Sequence, residues 1–215
     1  MAPKRPRSDD PPQEIQPFPP ARGVSPLVYE LFVLGELAVN PLYGYLLHDI
    51  ADRILGPLTP LSWGTLYPLI RRLERDGLIE SATEPVRADF PRKQRGQARR
   101  VYSITPSGRE RFMALMLAPT EYSRDTPKLF IVKLTKFQFL TPVQRLTVLT
   151  WYRGYLRQLH EYYRTAAAEV VGNPQIQTDE RPWILRSIEY PLRRLVAEIA
   201  WLESVIAESE REMRG

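Results

Sequence analysis

Apolar residues in this chain fall mostly at three- and four-residue steps, in blocks closed by proline or glycine, the pattern of amphipathic helices. Leu27, Leu31, Leu34 and Ala38 make the first such face, with Ser25-Pro26 as a cap-and-proline start and Asn40-Pro41 as an end. Leu46, Leu47, Ile50 and Ile54 predict a second helix from Tyr43 to Leu55, stopped by Gly56-Pro57. Leu66, Leu69, Ile70 and Leu73 predict a third from Ser62 to Asp76, with Ser62 as N-cap and Gly77 as a left-handed stop. Its other side carries Trp63, Thr65, Tyr67, Arg71, Arg72 and Arg75. One face suits burial, and the other is aromatic, polar and cationic. His48, beside Leu47, reads as a surface or boundary residue.

After Gly77 the period changes. Leu78 to Ala82 and Arg99 to Ile104 read as two short strands. Between them runs EPVRADFPRKQRGQA, and Arg87, Arg92, Lys93, Arg95, Arg99 and Arg100 are set against Asp89 alone across its second half. Thr105-Pro106 then opens a helix through Met116, with Phe112, Leu115 and Met116 apolar. Two helices joined by a short turn, followed by a hairpin with a cationic tip, spell a helix-turn-helix with a wing.

The second half of the chain is more uniform. Lys128 to Leu140 is dense in apolar residues and lysines, and its spacing suits a short helix or a strand. From Thr141-Pro142, Leu146, Leu149, Tyr152, Leu156, Leu159, Tyr163, Ala166 and Val170 step along a long helix that Gly172-Asn173-Pro174 ends. Ile184, Ile188, Leu192, Leu195, Ile199, Leu202 and Ile206 form a matching seam on the last helix, with a kink expected near Tyr190 at Pro191. Two copies of these seams could offset the roughly 4–15 kcal/mol that association costs in rigid-body freedom. A homodimer is therefore expected through Leu149, Leu156, Ile188, Leu192, Leu195, Ile199, Leu202 and Ile206, with a helical hairpin inside one chain as the alternative. The expected division is a disordered, proline-rich basic tail over 1–24, a DNA-binding domain over 25–118 and a helical domain over 119–215.

Composition narrows the function. The 215 residues are 43% apolar, enough for one or two folded domains, and the formal charge of +5 suits an anionic partner. The absence of cysteine excludes disulfides, thiol nucleophiles and zinc ribbons, and the two histidines, His48 and His160, have no metal-ligand spacing. No apolar run has the length of a membrane span and no secretory signal is visible, so a soluble cytoplasmic protein is expected. Neither a phosphate-cradling glycine loop nor a nucleophile–base pair is present, which argues against an enzyme and against a cofactor.

The stretches TLYPLIRRLERDGLIE and RRVYSITPSGRERF resemble the PadR family of transcriptional regulators, and LGELAVNPLYGYLLHDI fits the first two helices of that family. The resemblance covers roughly residues 27–118, and its wing is longer than the family's usual tip. It implies a mainly α fold: an N-terminal winged helix-turn-helix with a small β-hairpin wing, then a C-terminal α-helical dimerisation domain like that of the larger subfamily. It implies a regulator, commonly a repressor, that binds double-stranded DNA as a homodimer at an inverted-repeat operator. By that resemblance Tyr43 and Tyr67 would meet phosphates, and Ser62, Trp63 and Thr65 would reach base edges, although Trp63 could instead pack on the second helix. Arg71 and Arg72 would meet phosphate or guanine, and Arg92, Lys93, Arg95 and Arg99 would serve the wing. It also favours a short helix within 128–140. A small aromatic effector could sit at Trp151, Tyr155 and Trp183. The competing function is a winged-helix module that binds another protein through its helical arm.

Overall fold

The fold is organised around its first helix. In the computed structural model, which describes residues 25–56, 61–84 and 99–214, α1 (Pro26–Val39) is buried along its whole length from Val28 to Ala38. Ser25 caps it, accepting from the Leu27 amide at 3.4 Å. The expected face of Leu27, Leu31, Leu34 and Ala38 is thus too narrow. Neighbours cover α1 on all sides, which is why Phe32, Val33 and Leu37 are apolar as well.

A two-residue strand, β1 (Leu42–Tyr43), follows, then α2 (Gly44–Leu55) and α3 (Trp63–Arg75). β2 (Ile79–Glu84) and β3 (Arg99–Ile104) form the hairpin, and α4 (Pro106–Leu117) returns across α1. The sheet is antiparallel in the order β1-β3-β2, with Leu42 opposite Tyr102 and Ala82 opposite Val101. Nothing in the residue pattern marked β1, because two residues are too few to show an alternation. Leu66, Leu69, Ile70 and Leu73 are buried as the period required.

The ends of α3 settle differently from expectation at one end only. Ser62 makes no cap bond to a backbone amide, and its hydroxyl pairs with that of Thr65 at 3.0 Å. Gly77 does stop the helix: at φ +69° it lets its own amide reach the Glu74 carbonyl and the Leu78 amide reach that of Leu73. The chain then locks onto α4. The Thr105 amide donates to Leu78 O at 3.1 Å and its hydroxyl to Gly77 O at 2.7 Å, while Gly108 lies so close that a side chain would run into the Leu78 carbonyl.

Residues Thr126–Leu134 form a helix, α5, followed by a 3-10 turn at Phe137–Phe139, so the stretch is helical and not a strand. α5 packs on α1 and α2 as well as on the arm. The arm is two long antiparallel helices, α6 (Pro142–Gly172) and α7 (Arg181–Glu212). Thr141 and Gln144 complete a reciprocal capping box at the start of α6. α7 continues through Pro191 without a break. Among the described residues, no helix is long and apolar enough to cross a membrane. The expectation for residues 1–24 lies outside the described residues.

The seam assigned to a dimer is largely closed within the chain. Leu149, Leu156, Leu195, Leu202 and Ile206 are buried between α6, α7 and the core, and Ile188, Leu192 and Ile199 are half-buried. Arg153 and Arg157 reach Glu203 at 3.3 and 3.2 Å, and the Tyr152 hydroxyl donates to Glu198. The reason is chain connectivity. The short segment from Asn173 to Glu180 keeps α7 beside α6, and such intramolecular closure costs far less than association.

Candidate nucleic-acid interface

α2 and α3 form the helix-turn-helix, with Leu61 buried just ahead of α3. Once the apolar face of α3 is in the core, its outer face carries Ser62, Trp63, Gly64, Thr65, Tyr67, Pro68, Arg71 and Arg75, all exposed. The Trp63 ring stacks on His48 of α2 with centroids 4.3 Å apart and planes at 15°, and Tyr67 stacks on Trp63 at 5.4 Å and 26°. His48 is itself flanked by Asp52 at 3.7 Å and Asp49 at 4.0 Å. Trp63 therefore packs on the second helix while keeping 41% of its surface exposed. Trp63, Gly64, Tyr67, Pro68 and Arg71 line a shallow concavity on this face.

The two neighbouring arginines part company. Arg71 stands exposed and makes no ion pair among the described residues. Arg72 turns inward, and its guanidinium meets Glu30 of α1 at 2.6 Å. Arg111 of α4 grips the other oxygen of the same carboxylate at 2.8 Å. Glu30 is nearly buried, so the pair of guanidiniums is what keeps its charge tolerable there. Arg72 thus ties α3 to α1 and α4 while 38% of its side chain stays exposed. The signal in the sequence is Glu30, a carboxylate amid the apolar residues of the first helix, which a hydrophobic period alone does not mark.

The remaining expected contacts are mixed. Tyr43 lies on β1, half-buried, with its ring stacked on Tyr45 at 5.6 Å. Arg99 begins β3 opposite Glu84, and Arg100 beside it approaches Glu74 at 3.9 Å. Arg92, Lys93 and Arg95 lie outside the described residues.

The expected effector residues are not gathered into one place. Trp151 donates from its indole N–H to Thr120 O at 3.1 Å, and Tyr122 lies against both Trp151 and Tyr155. Trp183 stands at the far end of the arm, 71% exposed. The Lys133 ammonium is buried 4.7 Å over the Trp151 ring and donates to Ala118 O at 3.1 Å; burial pulls its pKa down to about 8. The cavity beside them is about 70 Å³, lined by residues including Lys133, Val148 and Trp151. That is about half the roughly 150 Å³ that admits benzene, so a planar aromatic effector does not fit in this conformation.

A three-helix unit with a strand-paired wing, presenting the outer face of α3, defines a winged helix-turn-helix protein. Residues 33–114 match the Transcriptional regulator PadR-like family. A 79-residue stretch, 37% of the chain, is 39% identical to the transcriptional regulator Rv3488 of Mycobacterium tuberculosis and spans 64% of that relative's length. Among solved structures, PadR of Bacillus subtilis in complex with operator DNA is 17% identical, covering 85% of this chain and 99% of the other at a TM-score of 0.40. The PadR-like regulator BC1756 of Bacillus cereus is 22% identical, covering 86% and 99% at a TM-score of 0.32.

Proposed function

We propose that the protein is a sequence-specific transcriptional regulator that binds an inverted-repeat operator in double-stranded DNA as a homodimer and represses by occluding a promoter. The observation that carries this is the outer face of α3: exposed rings braced from α2, with Arg71 unpaired among the described residues, on a helix-turn-helix within the stretch that matches the PadR-like family. Ser62, Thr65 and Tyr67 supply hydroxyls to bases and phosphates, and Arg71 and Arg75 supply positive charge. Tyr43 and the wing cations Arg92, Lys93, Arg95 and Arg99 extend the phosphate contacts on either side. The functional division follows residues 25–118 for DNA and 119–215 for assembly.

For the dimer the outward stripe of α7 takes over from the buried seam. Trp183, Tyr190 and Trp201 are seven and eleven residues apart and share one line along the helix. All three are exposed, a display of apolar surface that marks an interaction face. Paired arms would bring two α3 helices to half-sites about 34 Å apart. An aromatic effector would act by opening the closed aromatic cluster around Trp151. Tryptophan fluorescence and melting temperature across a panel of phenolic compounds test that step, and no response in either rejects it.

Selection of duplexes from random DNA tests the main reading. The expected result is an enriched inverted repeat, bound with a logarithmic salt slope of about −0.9 per neutralised phosphate. Binding with no enriched sequence would reject a regulator and favour a protein partner for the arm.

A further inference from the structure

We propose that α3 reads thymine methyl groups in its operator through an apolar notch formed by Trp63, Gly64, Tyr67 and Pro68. The inference rests on the DNA-binding reading above and adds the base feature that is recognised. At 3.6 residues per turn, Gly64, Pro68 and Arg71 occupy the middle of the exposed face, opposite Leu66, Leu69, Ile70 and Leu73. Gly64 has no side chain, and Pro68 has neither an N–H nor a polar group. Along that line the first turn and a half of α3 offers no hydrogen-bonding side chain; Arg71 and Arg75 follow further on. Donors and acceptors on base edges find little to pair with there, whereas the thymine 5-methyl is the apolar feature of the major groove.

The notch has fixed walls. Trp63 stacks on both the His48 ring and the Tyr67 ring, and the two contacts restrain its indole on this face. Tyr67 remains 47% exposed beside it. The backbone of Gly64 forms the floor, the Pro68 ring continues the apolar lining, and Arg71 closes the end towards phosphate or guanine. The hydroxyls of Ser62 and Thr65 pair with each other at 3.0 Å, so at most one of the two is free to donate to a base or phosphate. Missing volume at Gly64 is what admits the methyl. A Cβ built there meets nothing among the described residues closer than Ser62 Oγ at 3.8 Å, so no described neighbour demands glycine at this place.

The test uses the full chain and its selected duplex, with each thymine replaced in turn by deoxyuridine, which removes only the methyl. One or two thymines in each half-site are expected to weaken binding by about fourfold on replacement, the value for withdrawing one buried CH₂-sized group. Gly64→Ala should melt no lower than the parent, fill the notch, and erase the difference between thymine and uracil. Its salt slope, which counts phosphates, should stay unchanged. Trp63→Ala should likewise erase the difference. A specific duplex indifferent to every uracil replacement overturns the proposal and leaves the regulator reading standing. Thymine effects that persist in both variants overturn it as well. Failure to enrich any duplex has a different signature, and rejects the DNA-binding reading and this inference together.

Discussion

α3 and α7 are both amphipathic helices with aromatic rings on their outer faces, yet the two faces are built differently. In α3 the apolar stripe closes on the core, and the outer rings are braced by a neighbouring helix, Trp63 against His48. In α7 the apolar stripe closes on α6, while Trp183 and Tyr190 project with 71% and 67% of their surface exposed. Periodicity shows that a face will be covered and leaves open what covers it. For a short helix inside a domain the cover is the domain. For a long arm it is first the adjacent arm of the same chain, and only what remains outside is available to a second copy.

The contrast between the two stripes of α7 gives the largest expected effect. Leu202 is fully buried, so Leu202→Ala should lower the unfolding free energy by about 2–5 kcal/mol. Trp183→Ala combined with Tyr190→Ala should change it by less than about 0.5 kcal/mol per site in the monomer, yet weaken self-association. Denaturation at low protein concentration, with light scattering at high concentration, separates the two. Equal losses of stability would erase the distinction between inner and outer stripe.

A second prediction concerns Lys133, in the seam where the arm meets the winged-helix half. Burial lowers its folded pKa to about 8 from the ordinary 10.5, so between those values the unfolded chain binds more protons than the folded one. Stability should therefore rise with pH across that window, by at most about 1.4 kcal/mol per pH unit, and be insensitive to this group below it. Burial and its bond to Glu198 raise the Tyr152 hydroxyl, which opposes the trend only above the ordinary tyrosine value of 10. Denaturation at pH 8 and 9.5 should show the rise in the parent and not in Lys133→Met. A rise that survives the substitution would assign it elsewhere.

The smallest effects distinguish the adjacent arginines of α3. Arg72→Ala should cost about 1 kcal/mol of stability through its half-exposed pairing with Glu30, with only a minor change in the salt slope of DNA binding. Arg71→Ala should leave stability unchanged and reduce the slope by about 0.9 if it meets one phosphate. The reverse assignment would mean that the helix presents another face.

Much of the winged-helix half was legible from residue spacing, because its elements are short and each is closed by glycine, proline or a cap. The start of α1 at Ser25, the stop at Gly77 and the inward set of α3 all follow from local chemistry. Three things were not legible. β1 is too short to alternate. The inward turn of Arg72 depends on Glu30, a residue 42 positions away, which no local period encodes. The destination of the α7 seam depends on which helix arrives first, a matter of connectivity and not of pattern.

Two carboxylates on α1 have a joint consequence. Glu30 holds Arg72 of α3, and Glu36, nearly two turns further on, pairs with the buried Lys136 at 2.6 Å, at the root of the arm. A single rigid rod thus clamps α3 at one end and the root of the α6–α7 arm at the other. In a two-fold pair such a rod acts as a gauge. An operator whose half-sites are moved apart by one base pair is displaced by 3.4 Å along the duplex and turned by about 35° around it. A clamped rod has no joint with which to follow that turn, so the protein should tolerate changes of base far better than changes of spacing.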